Sequence, residues 1–227
     1  MTDTALEVLY VDNHLLAVNK PAGLVTQVSP HHPESLETRA AAWIKREFAK
    51  PGNAFAQAVH RLDRPVSGVV LFARTSKALS RLNEAIRSGR WEKTYWAVVS
   101  SPPPQPSGTL AAHLVHDDFR ARAASTGTEG AKPAVLHYRT LTAAAGLVLL
   151  EVDLDTGRYH QIRAQFAACG CPIVGDGKYG STVTMPADAI GLHHRRLRID
   201  HPVQKTEQTF TAPAPATWPW TSLPLPA

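Results

Sequence analysis

The chain has 227 residues, 44% of them hydrophobic, and a formal net charge of +5 from 24 Lys and Arg against 19 Asp and Glu. That is enough apolar material for a real core, which excludes a disordered chain, and no stretch approaches the length of a membrane span. The charge favours a polyanionic partner without naming one.

Leu6 to Val11 and Leu15 to Asn19 predict two strands split by the turn Asp12-Asn13-His14, with Pro21-Ala22-Gly23 ending the second. Because Glu7 and Asp12 interrupt the first apolar stretch, no signal peptide is expected, and the setting is read as soluble, reducing and cytoplasmic. From Ser35, a candidate N-cap, Leu36, Ala40, Trp43, Ile44 and Phe48 recur at helical spacing, with Pro51-Gly52 as the stop. Val69 to Ala73 is an uninterrupted apolar run that predicts a strand buried on both faces. A second helix follows, capped by Ser76, striped by Leu79, Leu82 and Ile86, and closed by Gly89.

Trp91 to Val99 predicts another strand, and Pro102 to Pro106 a stiff connector too short to separate domains. Leu110 to Val115, Ala134 to Leu141 and Gly146 to Leu154 are further strands. Between the first two of these, Asp117 to Lys132 reads as a loop carrying Arg120, Arg122 and Lys132. Helical spacing returns over Tyr159 to Ala168, ended by Gly170. Strands around Leu192 to Ile199 and Gln208 to Thr211 precede a Pro-rich tail expected to pack loosely. Many strands with about three helices predict one α+β domain over 1–227, its core about 6–215, with a mixed, largely antiparallel sheet.

The residues with most chemical content are His60-Arg61-Leu62-Asp63-Arg64-Pro65-Val66-Ser67-Gly68, at the mouth of the buried run. A carboxylate flanked by cations stays ionised near neutral pH, which suits a nucleophile or base. Taken alone, an Arg-x-Asp-Arg turn reads more simply as a surface ion pair, with Pro65 and Gly68 as ordinary turn formers. His31-His32 and His193-His194 are rejected as metal sites, since adjacent residues point apart and no carboxylate or Cys sits at ligand spacing. Cys169-x-Cys171 is too tight for an easy disulfide, and both are read as reduced, buried thiols.

The longer string resembles the His-Arg-Leu-Asp-x-x-Thr/Ser-Ser-Gly signature of the RluA-type pseudouridine synthases. Other segments follow in that family's order: Asn19-Lys20-Pro21-Ala22-Gly23, Lys93-Thr94-Tyr95-Trp96-Ala97, Thr156 to Arg163, Pro172 to Asp176 with Tyr179-Gly180, Leu192-His193 and His201-Pro202. The resemblance implies the pseudouridine synthase fold, a bent mixed sheet with helices and loops on its faces and a central catalytic cleft. It also implies isomerisation of uridine to pseudouridine in tRNA or large-subunit rRNA. Arg64-Pro65 is similar to the TruC-like branch, and no S4-type RNA-binding domain is expected ahead of the catalytic one.

On that resemblance Asp63 is the catalytic carboxylate, Arg163 the cation that pairs with it, and Tyr95 the ring that stacks on the target base. Arg61 is implied in wedging the RNA stack as the uridine flips out, and Arg64 in binding phosphate. Ile162 is read either as an apolar wall of the uracil pocket or as a core residue. Lys20, Arg158 and the Arg120, Arg122, Lys132 group extend a positive track for RNA. No cofactor, metal, membrane or obligatory protein partner is expected, and the chain is expected to be a monomer. Two departures stand out. Val66 replaces the usual Thr, and His194 replaces a small residue and is expected at the rim of the cleft. The competing readings are a catalytically silent RNA-binding protein of the same fold, and a glycosyl-bond hydrolase using Asp153, Asp155 or Asp176 as a second carboxylate.

Overall fold

The computed structural model describes residues 6–226. The elements run β1 (Glu7–Val11), β2 (Leu15–Lys20), α1 (Leu36–Glu47), β3 (Gln57–Ala58), β4 (Ser67–Ala73), α2 (Ser76–Arg87) and β5 (Glu92–Val99). They continue with β6 (Ser107–Asp117), β7 (Arg120–Ala124), β8 (Lys132–Ala144), β9 (Leu147–Leu154), α3 (Gln161–Ala168), β10 (Leu192–Asp200) and β11 (Glu207–Thr211). This is an α+β chain, as expected. Its contacts group into two compact units. One runs to Trp91 and resumes over His194–Pro213; the other is Glu92–His193 with the residues from Ala214.

In the first unit the sheet order is β1-β2-β4-β10, with β3 on β4 and β11 on β10. β1 and β2 form the expected antiparallel hairpin, and β2 pairs antiparallel with β4 from Leu15 opposite Ala73 to Lys20 opposite Gly68. Every residue of β4 is buried, which is why its sequence reads as a continuous apolar run rather than an alternation. Leu15, Val69, Leu71, Leu82, Trp91, Leu197 and Phe210 share one core cluster. Ser35 caps α1 and forms a capping box with Thr38. The cap of α2 is Thr75 rather than Ser76, because it is the Thr75 hydroxyl that reaches the Ala78 amide at 3.1 Å.

In the second unit the order is β5-β9-β8-β6-β7, antiparallel at each pairing. The stretch read as one loop after Asp117 contains β7, which folds back on β6 with Asp117 opposite Arg120. Ala-rich, Arg-bearing residues carry little strand signal, and the turn depends on Asp118 at a φ of 48°, a conformation Asp adopts more readily than most residues. The Pro-rich tail is also packed. Trp220 is 2% exposed and joins Trp96, Val98, Leu149 and Val174 in a core cluster. One large aromatic supplies enough apolar area to hold the segment despite its prolines. Cys171 is buried and Cys169 partly exposed, both as free thiols.

Candidate active site

In the first unit, Asp63 begins a four-residue turn closed by the Val66 amide on the Asp63 carbonyl at 3.0 Å. Asp63 is partly exposed between exposed Arg61 and half-buried Arg64, while Leu62 and Val66 are buried. The turn is tied down through its backbone. The Thr26 hydroxyl accepts the Leu62 amide at 3.1 Å and donates to the Leu62 carbonyl at 2.9 Å. Beyond Asp63, the Arg64 carbonyl accepts the Gly23 amide at 2.8 Å and the Lys20 ammonium at 3.2 Å.

Lys20, expected on a surface track for RNA, is fully buried. Besides Arg64 its Nζ donates to the Pro21 and Leu24 carbonyls at 3.0 and 2.7 Å. One of these bonds ties the turn to the Pro21 to Leu24 segment that the other two hold, and an ammonium with no exposed surface cannot contact an external polyanion. Burial pulls its pKa down to about 7, against the opposing pull of the Asp63 charge.

Behind the turn, Gly68 has a φ of 114°, and a Cβ there would lie 2.3 Å from the His194 carbonyl oxygen. No other residue fits such an approach. His194 is fully buried, its Nδ1 2.7 Å from the Val69 carbonyl and its ring edge-on to His60 at 5.5 Å. It therefore lies in the packed interior under the loop, not at an exposed rim. His60 accepts the Leu71 amide on Nε2 at 3.1 Å, which fixes its tautomer. The first residue of the motif thus serves the strand that carries the loop.

In the second unit, Tyr95 lies on β5 opposite Val152 of β9 and is 8% exposed. Arg163 lies on α3, a helix buried nearly all round, from Gln161 to Phe166. Its guanidinium makes a two-point pair with Asp176, Nε to Oδ2 at 2.6 Å and NH2 to Oδ1 at 2.8 Å, while NH1 meets His160 Nε2 at 2.9 Å. Asp176, which closes the Pro172 to Asp176 segment and is given a role from sequence only in the competing hydrolase reading, is 1% exposed. His160 adopts a φ of 50° at the start of α3 and makes no side-chain cap. A bulky residue in this region is strained, and its ring is held on both sides, by Arg163 and by the Tyr179 hydroxyl at 2.9 Å from Nδ1.

The rest of the motif secures the helix start. Gln161 accepts the Thr156 hydroxyl and the Arg158 amide and donates to the Val135 carbonyl, at 2.8, 3.0 and 3.0 Å. Ile162 is 4% exposed. Arg158 is half-buried, donates from Nε to the Pro133 carbonyl, and its charge helps depress the Lys93 pKa that burial already lowers. Arg120, Arg122 and Lys132 are exposed on β7 and β8. Among the described residues, no three His, Cys, Asp or Glu side chains cluster in a way that would hold a metal, and no helix is long and apolar enough to cross a membrane.

Residues 14–168, which include the Asp63 turn, Tyr95 and Arg163, match the family model described as RNA pseudouridylate synthase. The chain belongs to this family. It is 35% identical to the dual-specificity RNA pseudouridine synthase RluA of Escherichia coli, across 92% of this chain and 93% of that one. It is 36% identical to the ribosomal large subunit pseudouridine synthase D of Xylella fastidiosa, covering 94% of this chain and 67% of the relative. An uncharacterised RNA pseudouridine synthase of Synechocystis is 34% identical over 93% of the chain, which spans 66% of that relative's length. The fold resembles that of human RNA pseudouridylate synthase domain containing 4, with a TM-score of 0.78 at 22% identity over 92% of this chain and 89% of that one. The pseudouridine synthase fold expected from the sequence is thereby established.

Proposed function

We propose that this protein converts uridine in structured RNA, tRNA or large-subunit rRNA, to pseudouridine, with Asp63 as the catalytic carboxylate. The observation that supports this reading most directly is the pinned turn at Asp63 within the segment that matches the family. A catalytic group gains most when its position is set before substrate arrives, and Thr26, Gly23 and Lys20 set the backbone on either side of this carboxylate. The target base is unstacked and flipped, at a cost of a few kcal/mol, with Arg61 helping to open the stack and Arg64 on phosphate. The C1′–N1 bond breaks, the uracil turns and rejoins through C5, the C5 hydrogen leaves to solvent as a proton and N1 takes one up, so the net change is an isomerisation. Tyr95 and Arg163 act in the same reaction, Tyr95 against the base. The enzyme works as a cytoplasmic monomer.

RNA transcripts carrying tritium at C5 of uridine test this reading. Wild-type protein is expected to release tritium to water from tRNA or large-subunit rRNA, and Asp63→Asn to release none. Free uracil among the products would mean a hydrolase. Retention of RNA on a filter without tritium release from either substrate would give the silent RNA binder.

A further inference from the structure

Arg163 is 5% exposed, and three of the bonds that orient it run to groups that the proposed reaction does not use. Both Asp176 oxygens take up the edge formed by Nε and NH2. The NH1 group can only donate, so His160 Nε2 accepts it and the imidazole proton resides on Nδ1, which donates to the Tyr179 hydroxyl. That hydroxyl in turn accepts the Ala121 amide at 2.7 Å and faces the Ala121 carbonyl at 3.3 Å. The Tyr179 ring lies 5.1 Å from the guanidinium carbon. Every proton in this chain has one placement that satisfies its neighbours, from a buried carboxylate through Arg163 and His160 to the backbone of β7.

We propose that Asp176 and Tyr179 are positioning residues for Arg163, Asp176 fixing the guanidinium plane directly and Tyr179 fixing it through a single tautomer of His160. This deepens the proposed function and rests on Arg163 serving the reaction. A planar guanidinium gripped along one edge cannot rotate about its terminal bonds, so the direction of its remaining N–H groups is set before RNA binds. His160 accepts its strained backbone because both ring nitrogens are engaged in this way. Asp176 adds no reacting group. Its effect is expected on the chemical step and not on RNA affinity.

The test is single-turnover pseudouridine formation and RNA dissociation constants for the full chain and its Asp176→Asn, Asp176→Glu and Tyr179→Phe variants, on an RNA the wild type modifies. Misplacing a catalytic partner by about 1 Å costs on the order of a hundredfold, so Asp176→Asn is expected to slow the step about that much with RNA affinity little changed. Asp176→Glu, which keeps the charge, is expected to recover part of the rate. Tyr179→Phe, which removes one oxygen and leaves the ring, is expected to cost roughly tenfold by the same argument. A folded Asp176→Asn at the wild-type rate, or a loss confined to RNA affinity, overturns the proposal. Should Asp176→Asn fail to fold, Tyr179→Phe decides, and a wild-type rate there overturns it. A wild type that forms no pseudouridine at all removes the proposed function, and this inference with it. Wild-type activity that survives unchanged in the variants removes the inference alone.

Discussion

At Asp63 the described fixing bonds fall on the backbone of its neighbours. Thr26 holds Leu62, and Gly23 and Lys20 hold Arg64. At Arg163 they fall on the side chain itself, which is clamped by Asp176 and His160 inside a buried helix. The two arrangements separate structural from chemical roles in different ways. A residue positioned through neighbouring peptide groups can change its side chain while the local fold persists. A residue positioned through its own charge cannot, because removing it strands the partner in a medium that does not solvate ions.

Two substitutions test this contrast at full size. Asp63→Asn, which removes charge without bulk, is expected to reduce tritium release to background while unfolding free energy changes by less than about 1 kcal/mol. A melting temperature well below wild type would mean that the Asp63 carboxylate also holds the loop. Arg163→Ala is expected to lose both, with stability falling by about 3–5 kcal/mol as Asp176 is left buried and unpaired. For a chain of this size that is a drop of roughly 10 °C in Tm. A wild-type Tm in Arg163→Ala would mean that the Asp176 pair contributes little to the fold.

The same contrast explains what could be read from the sequence. The strand bearing the Asp63 turn was legible because burial on both faces leaves an unbroken apolar run from Val69 to Ala73, and α1 because Ser35 and the apolar stripe agree. Periodicity reports burial, however, and not hydrogen bonding. The function of Thr26 depends on a contact 36 residues away in the chain, and nothing local marks one Thr among several. Asp176 stood within a recognised segment, but its partner is 13 residues earlier, across the rest of α3 and the turn that follows it. Lys20 was misplaced for a related reason, since charge is a guide to exposure that fails when backbone carbonyls replace water. β7 was missed because Arg-Ala-Arg-Ala-Ala has neither β-branched nor aromatic residues.

Lys20 sharpens the comparison through pH. Its folded-state pKa is near 7 against an ordinary value of 10.5, so between those limits the unfolded chain binds a proton that the folded chain lacks. Stability therefore rises as pH increases through this window. From pH 7 to pH 9 the Lys20 contribution is on the order of 2 kcal/mol. Lys93, lowered by burial and by the Arg158 charge, acts with the same sign. Urea unfolding of Lys20→Met at the two pH values is thus expected to show a smaller rise than wild type, not a flat profile. An unchanged rise would assign the slope to Lys93 or another group.

The smallest effect on the rate is expected at Thr26, where the contrast is cleanest. Thr26→Val keeps the shape of the side chain and deletes only the hydroxyl that both accepts from and donates to Leu62. Leaving that buried amide and carbonyl unpaired costs about 1–3 kcal/mol for each group. The residue is 3% exposed, so it has no surface with which to meet RNA, and any loss of rate must travel through the Leu62 backbone to Asp63. A modest fall in single-turnover rate with unchanged RNA affinity is the expected result. A fall in affinity alone would instead mean that the Leu62 to Arg64 turn acts chiefly as a surface for RNA, and that its tight backbone anchoring serves binding before chemistry.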